Sequence, residues 1–166
     1  MMRCKRERMI AMQIETITKD AFCVIGKAGS TEDGEGFVGR LWADANAHFA
    51  EVSHLAATRE DGSLAGVWGA MTDMDFGFLP WQENFTKGRY LAGIEAREEA
   101  VAPKGWEKWN VPGFTALRVE VESPDTFPEM IGWMKDNGVT LAGAVQDFTD
   151  PATGGNYMLF PIARKE

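Results

Sequence analysis

The chain has 166 residues, of which 45% are hydrophobic and 25% charged, and a formal charge of −8. That length closes a core without disulfide or metal support, and no apolar run approaches the roughly 20 residues of a membrane span. An acidic surface repels phosphate backbones, which argues against direct nucleic-acid binding and for cationic ligands or basic partners.

Residues 1–11 hold Arg3, Lys5, Arg6 and Arg8 but lack the apolar core of a signal peptide. They are expected as a disordered basic leader before a single domain over 12–166, with halves of about 12–100 and 101–166. The two cysteines, Cys4 and Cys23, form no framework and suit a reducing, cytoplasmic compartment. Cys23 lies in an apolar run and reads as a small buried hydrophobe.

Residues 12–19 alternate apolar and polar, which predicts a half-buried strand that 22–28 extends or follows. Val38, Leu41, Trp42, Ala45, Phe49 and Val52 recur at helical spacing, predicting a helix over 35–54. Strands are predicted over 64–71 and 89–97, separated by an irregular aromatic stretch with Phe76, Phe78, Trp81 and Phe85. The order then recurs. A strand over 114–122 precedes a helix starting near Thr126, with Thr126 and Glu129 at capping-box spacing. Phe127, Met130, Ile131 and Met134 form its stripe, and Asn137-Gly138 ends it. Residues 139–149 hold a further strand, and 157–163 form the last. The prediction is an α+β fold of duplicated βαββ units: a curved antiparallel sheet, two helices, and a ligand groove between the halves.

Familiar catalytic signatures are missing. Gly34-Glu-Gly36 lacks the rest of a phosphate loop. His48 and His54 are six apart, about 240° around a helix, and no carboxylate motif joins them, so no metal and no cofactor are expected. No serine has an elbow motif, and catalytic residues are not identified. Six tryptophans are many for this length. Most suit a core, but Trp133 sits off the centre of its helix stripe. Tryptophans around a groove would form a box for flat apolar or cationic ligands. Asp147 lies inside a predicted strand, on the face of Val145 and Thr149, with Gln146 and Phe148 on the other. An acid there is solvated, paired or functional. Glu95 is the most central of a second acidic group.

Gly88-Arg-Tyr-Leu-Ala-Gly-Ile-Glu95, then Pro103-Lys-Gly-Trp106, then Asn110-Val-Pro-Gly113 before a strand, then Trp133 and Phe160-Pro-Ile162, form an ordered set. This pattern, over roughly 12–163, resembles the GyrI-like small-molecule-binding domain. That is also the effector-binding domain of AraC- and MerR-type multidrug regulators. The resemblance implies a duplicated βαββ fold and a pocket between the two helices. It also implies a buried Glu, in a Glu-x-Tyr motif, that attracts lipophilic cations. Here Asp147 takes the Glu position and Thr149 the Tyr position; one register off, Gln146 and Phe148 take them.

The function expected is a stand-alone binding domain for lipophilic, cationic or aromatic small molecules, in sensing or sequestration. Its expected ligand residues are Asp147, Trp42, Trp68, Tyr90, Glu95, Trp133 and Phe148. One alternative is a GyrI-like hydrolase of electrophilic genotoxins, with Asp147 or Glu95 as general base. Another is a gyrase-inhibitor-like interaction module with a protein partner. Neither direct nucleic-acid contact nor a membrane is expected, and the oligomeric state is left open.

Overall fold

The computed structural model describes residues 13–165, so the basic leader and Cys4 lie outside the described residues. The strands are β1 (Glu15–Lys19), β2 (Phe22–Ser30), β3 (Val67–Thr72), β4 (Arg89–Ala96), β5 (Glu107–Val111), β6 (Phe114–Glu120), β7 (Gln146–Thr149) and β8 (Asn156–Arg164). Two longer helices, α1 (Phe37–Ala47) and α2 (Thr126–Asp136), interrupt them.

One antiparallel sheet runs β1-β6-β8-β7-β3-β4-β2-β5. Adding or subtracting four from every strand number returns the same order reversed. The chain is therefore duplicated, as its element order predicts, but the repeating unit is ββαββ. The first strand of each unit crosses to the far edge of the other half. Only two residues link β1 to β2 and β5 to β6, although each pair spans nearly the whole strand order. Lys19 and Phe22 are three Cα steps apart, at most about 11 Å. The sheet must curl until its two edges meet. They meet at Gly113, where a side-chain carbon would lie 3.0 Å from the Ala21 amide nitrogen and the Lys19 carbonyl oxygen.

Strand alternation gives this curled sheet two apolar faces. The inner face carries Val24, Trp68, Leu91, Trp109, Phe114 and Leu159. The outer face carries Ile25, Tyr90 and Ile94 under α1, and Leu117, Val119 and Phe160 under α2. Burial of both faces drives the fold, at roughly 25 cal/mol per Å² of apolar surface. Cys23 is buried, as its apolar neighbours imply.

Several boundaries differ from expectation. Helix α1 stops at Ala47, because His48 leaves helical dihedrals at φ −120°, ψ 21°. Two short 3-10 turns, Phe49–Glu51 and Ser53–Leu55, carry the stripe on, burying Val52 and leaving Phe49 exposed. The capping box at α2 does not form. Thr126 Oγ1 instead accepts from the amides of Glu122 and Ser123, and Asp125 occupies the cap. Within 139–149 the strand is confined to Gln146–Thr149. The ladder is continued by a side chain: Gln146 Oε1 accepts from the Met71 amide (3.2 Å), and its Nε2 donates to the Met71 carbonyl (3.1 Å). No helix among the described residues is long and apolar enough to cross a membrane.

Candidate functional site

The two halves meet at the β3–β7 seam, where Asp147 pairs with Gly69. Alternation turns the Asp147 side chain to the outer face, into the groove between α1 and α2. Tyr90 on β4 reaches the same point by crossing over Gly69. A side-chain carbon at Gly69 would collide with the Tyr90 hydroxyl, so glycine there is a condition of the site. Tyr90 Oη donates to Asp147 Oδ2 at 2.8 Å, and Trp42 Nε1, from α1, donates to Tyr90 Oη at 3.0 Å. The result is a chain of hydrogen bonds, indole to phenol to carboxylate.

Two cavities share Tyr90, Asp147 and Met158. The first, about 230 Å³, is walled by Val38 of α1, Met71, Trp81, Phe85, Phe127 of α2 and Val145. The second, about 410 Å³, opens toward Trp42, Thr149, Asn156 and Tyr157. Among the described residues, neither wall contains a basic side chain. Burial pushes the Asp147 carboxyl up to about 6, against the Tyr90 hydrogen bond that favours its ionised form. Burial, and then the neighbouring Asp147 charge, push the Tyr90 hydroxyl well above its ordinary value.

The loop after β3 covers one end of the groove. Its anchor is the buried Asp73, which accepts from the amides of Gly77 (2.8 Å), Leu79 (3.2 Å) and Asp75 (3.3 Å) and from Thr72 Oγ1 (3.0 Å). Burial raises the Asp73 carboxyl, but these hydrogen bonds together outweigh it and hold the group below the usual value. Further on, Glu83, Asn84 and Phe85 have φ of 51°, 58° and 65°, a left-handed turn of three successive non-glycine residues. Such backbone costs roughly 1–2 kcal/mol per residue. It aims Phe85 across the groove at Phe127, ring centroids 5.2 Å apart.

Of the residues expected from sequence, Asp147, Tyr90 and Trp42 come together. Phe148 borders the second cavity but packs on the inner face against Trp68, 4.7 Å between centroids. Trp68 and Glu95 lie wholly on that inner face. Trp68 Nε1 donates to Glu95 Oε1 at 3.0 Å. Lys19 Nζ sits 3.2 and 3.3 Å from the two Glu95 oxygens and 4.5 Å from the Phe22 ring centroid. Trp133 is half-buried in the core under α2 and touches neither cavity. Met71, Val145 and Met158 line the groove without any sequence signal beyond alternation. Trp81 and Phe85 were signalled by aromatic density in an irregular stretch, and Phe127 by its helix stripe. Among the described residues no cluster of His, Cys, Asp and Glu is arranged to hold a metal ion.

This arrangement is the fold of the GyrI-like domain, the class that the sequence pattern resembles. The chain superposes on EcmrR in its DNA complex with a TM-score of 0.66 at 14% identity, covering 99% of this chain and 62% of that one. The isolated EcmrR C-terminal domain matches over 93% of this chain and 99% of its own length, with a TM-score of 0.59 at 14% identity. SAV2435 bound to tetraphenylphosphonium matches over 93% and 94% of the two chains, with a TM-score of 0.62 at 13% identity. No protein-family model and no curated protein matches the sequence.

Proposed function

We propose that this chain binds small lipophilic cations in the groove between α1 and α2, with Asp147 as the charged anchor. One observation carries the reading: Asp147 is a carboxylate in an aromatic and apolar cavity whose walls, among the described residues, carry no basic side chain. Such a charge is costly unless paired. An organic cation supplies the partner, and Trp81, Phe85, Phe127 and Tyr90 supply ring surface for its apolar arms. The tetraphenylphosphonium bound by SAV2435, a chain of like fold, supports this choice of ligand class. The domain would serve sensing or sequestration.

The test is a titration with tetraphenylphosphonium and a neutral triphenyl analogue, followed by tryptophan fluorescence. The expected result is saturable quenching by the cation, weakened at least about tenfold by Asp147→Asn and hardly changed for the neutral compound; tenfold corresponds to roughly 1.4 kcal/mol. Absence of saturable binding, or equal affinity in the variant, overturns the reading. A second reading rests on the same 2.8 Å contact. A carboxylate beside a phenol is a general base beside a proton donor, so hydrolysis of an electrophile would use the same pair. Turnover of an electrophilic substrate, lost in both Asp147→Asn and Tyr90→Phe, would favour it.

A further inference from the structure

The Tyr90 hydroxyl has one proton and two in-plane directions in which to place it. One direction faces Asp147 Oδ2 at 2.8 Å. The other is met by Trp42 Nε1 at 3.0 Å. An indole N–H is a donor only. The Tyr90 proton cannot turn toward it without setting two hydrogens against each other. It is left with the carboxylate.

We propose that Trp42 is a positioning residue for the anchor: by donating to Tyr90 it pins the phenol proton on Asp147, which holds Asp147 as a hydrogen-bond acceptor and favours its ionised form. The inference deepens the cation-binding reading and, for its binding arm, rests on it.

The reasoning follows the proton. A protonated Asp147 needs an acceptor for its own O–H. Tyr90 is the polar group in contact, and it could accept only by rotating its proton away. Trp42 blocks that rotation. Donation from the indole also polarises the phenol, which strengthens its hydrogen bond to the carboxylate. Titratable groups on both cavity walls are few. Beside Asp147 there are Tyr90 from β4 and Tyr157 from β8, while α1, β3 and α2 contribute only Val38, Trp42, Met71 and Phe127. Burial opposes ionisation, so the phenol and the indole behind it act as the counterweight. Trp42 is held for this role by its own helix, since it lies on the α1 stripe with its ring edge-on to Tyr90, centroids 6.4 Å apart.

The experiment follows the Asp147 side-chain carboxyl by carbon NMR in ligand-free protein, assigned by its absence in Asp147→Asn. The variants are Trp42→Phe, Tyr90→Phe and the double variant. The proposal expects a midpoint near 6 in the wild type and one higher by about half a unit or more in Trp42→Phe, the size of a modest hydrogen-bond contribution. It also expects Trp42→Phe to add nothing once Tyr90 is Phe. A folded Trp42→Phe protein with an unmoved midpoint overturns it. So does an equal shift in the Tyr90→Phe background, which would mark a packing role. The wild type supplies a check that needs no variant. The Trp42 indole N–H resonance should move with the Asp147 midpoint, and a flat response contradicts the proposal. In the binding arm, the pH at which half the tetraphenylphosphonium affinity is lost should rise in Trp42→Phe by the same amount as the carboxyl midpoint. A uniform loss at all pH values counts against the proposal. If the wild type binds no cation, the binding reading fails, while the ligand-free titration still decides the role of Trp42.

Discussion

The molecule places two acids among aromatic rings, one on each face of the same sheet, and they are opposite in kind. Glu95, on the inner face, is answered from within the chain. Lys19 meets both its oxygens, Trp68 donates to it, and the Lys19 ammonium lies over Phe22. Asp147, on the outer face, is answered by one phenol and faces two cavities instead of a lysine. The chemistry is alike: a carboxylate, indoles and phenyl rings. The difference is the occupant. A cation seated between Glu95 and its rings shows what such a box holds. The box at Asp147 offers the same features to a cation from outside. Acid and aromatic content are therefore common to both places; what sets Asp147 apart is that, among the described residues, no basic side chain lines its cavities.

The same acid-to-amide change should have opposite signs at the two places. Glu95→Gln leaves the Lys19 ammonium without its counter-ion, and should destabilise the fold by about 2 kcal/mol, less than a fully buried pair because both groups keep some solvent contact. Chemical denaturation at pH 7 would measure it; an unchanged midpoint would break the comparison. Asp147→Asn removes a charge that the fold holds at a cost, and should stabilise the ligand-free protein by about 1–2 kcal/mol at pH 7, discounted for solvent at the groove mouth.

That gain must depend on pH. The folded-state pKa of Asp147, about 6, lies above its ordinary value of 3.8. The native state therefore binds this proton more tightly, and the Asp147 contribution to stability rises as pH falls through 6 toward 4. The difference between wild type and Asp147→Asn should shrink over that window and vanish below it. A difference constant from pH 7 to 4 would show that charge is not its cause. The smallest effect belongs to the loop over the groove. Asn84→Gly relieves one left-handed residue (φ 58°) and should raise stability by up to about 1 kcal/mol, read as a shift in thermal midpoint. A fall of that size would contradict the left-handed turn.

Much of this contrast was readable from residue spacing. Asp147 and Phe148 had to face opposite sides because neighbours in a strand do. Tyr90 and Glu95 are five apart on β4, an odd number, so a regular strand also had to part them. Grouping Glu95 and Trp68 with the groove passed over that parity. A curved sheet was expected, but the curl that brings its two edges together was hidden for a physical reason. It depends on β1 pairing with β6 and β5 with β2, contacts between distant segments that local periodicity does not encode. The Lys19–Glu95 pair follows from that curl and was hidden with it. Trp42 stood on a helix stripe like any core residue. Its role comes from where its N–H points, and that was set by packing α1 against β4. The α2 cap failed as a prediction because Thr126 bonds backward to Glu122 and Ser123, an equally local choice that the sequence leaves open.

The most direct test of an unpaired, cation-seeking Asp147 is whether the cation displaces a proton. Tetraphenylphosphonium binding should be measured by titration calorimetry at pH 6 in buffers of different ionisation enthalpy. A bound cation favours the ionised carboxylate, so the account predicts release of a fraction of a proton at pH 6, little at pH 8, and none in Asp147→Asn. Tight binding at pH 6 with no proton released would contradict it.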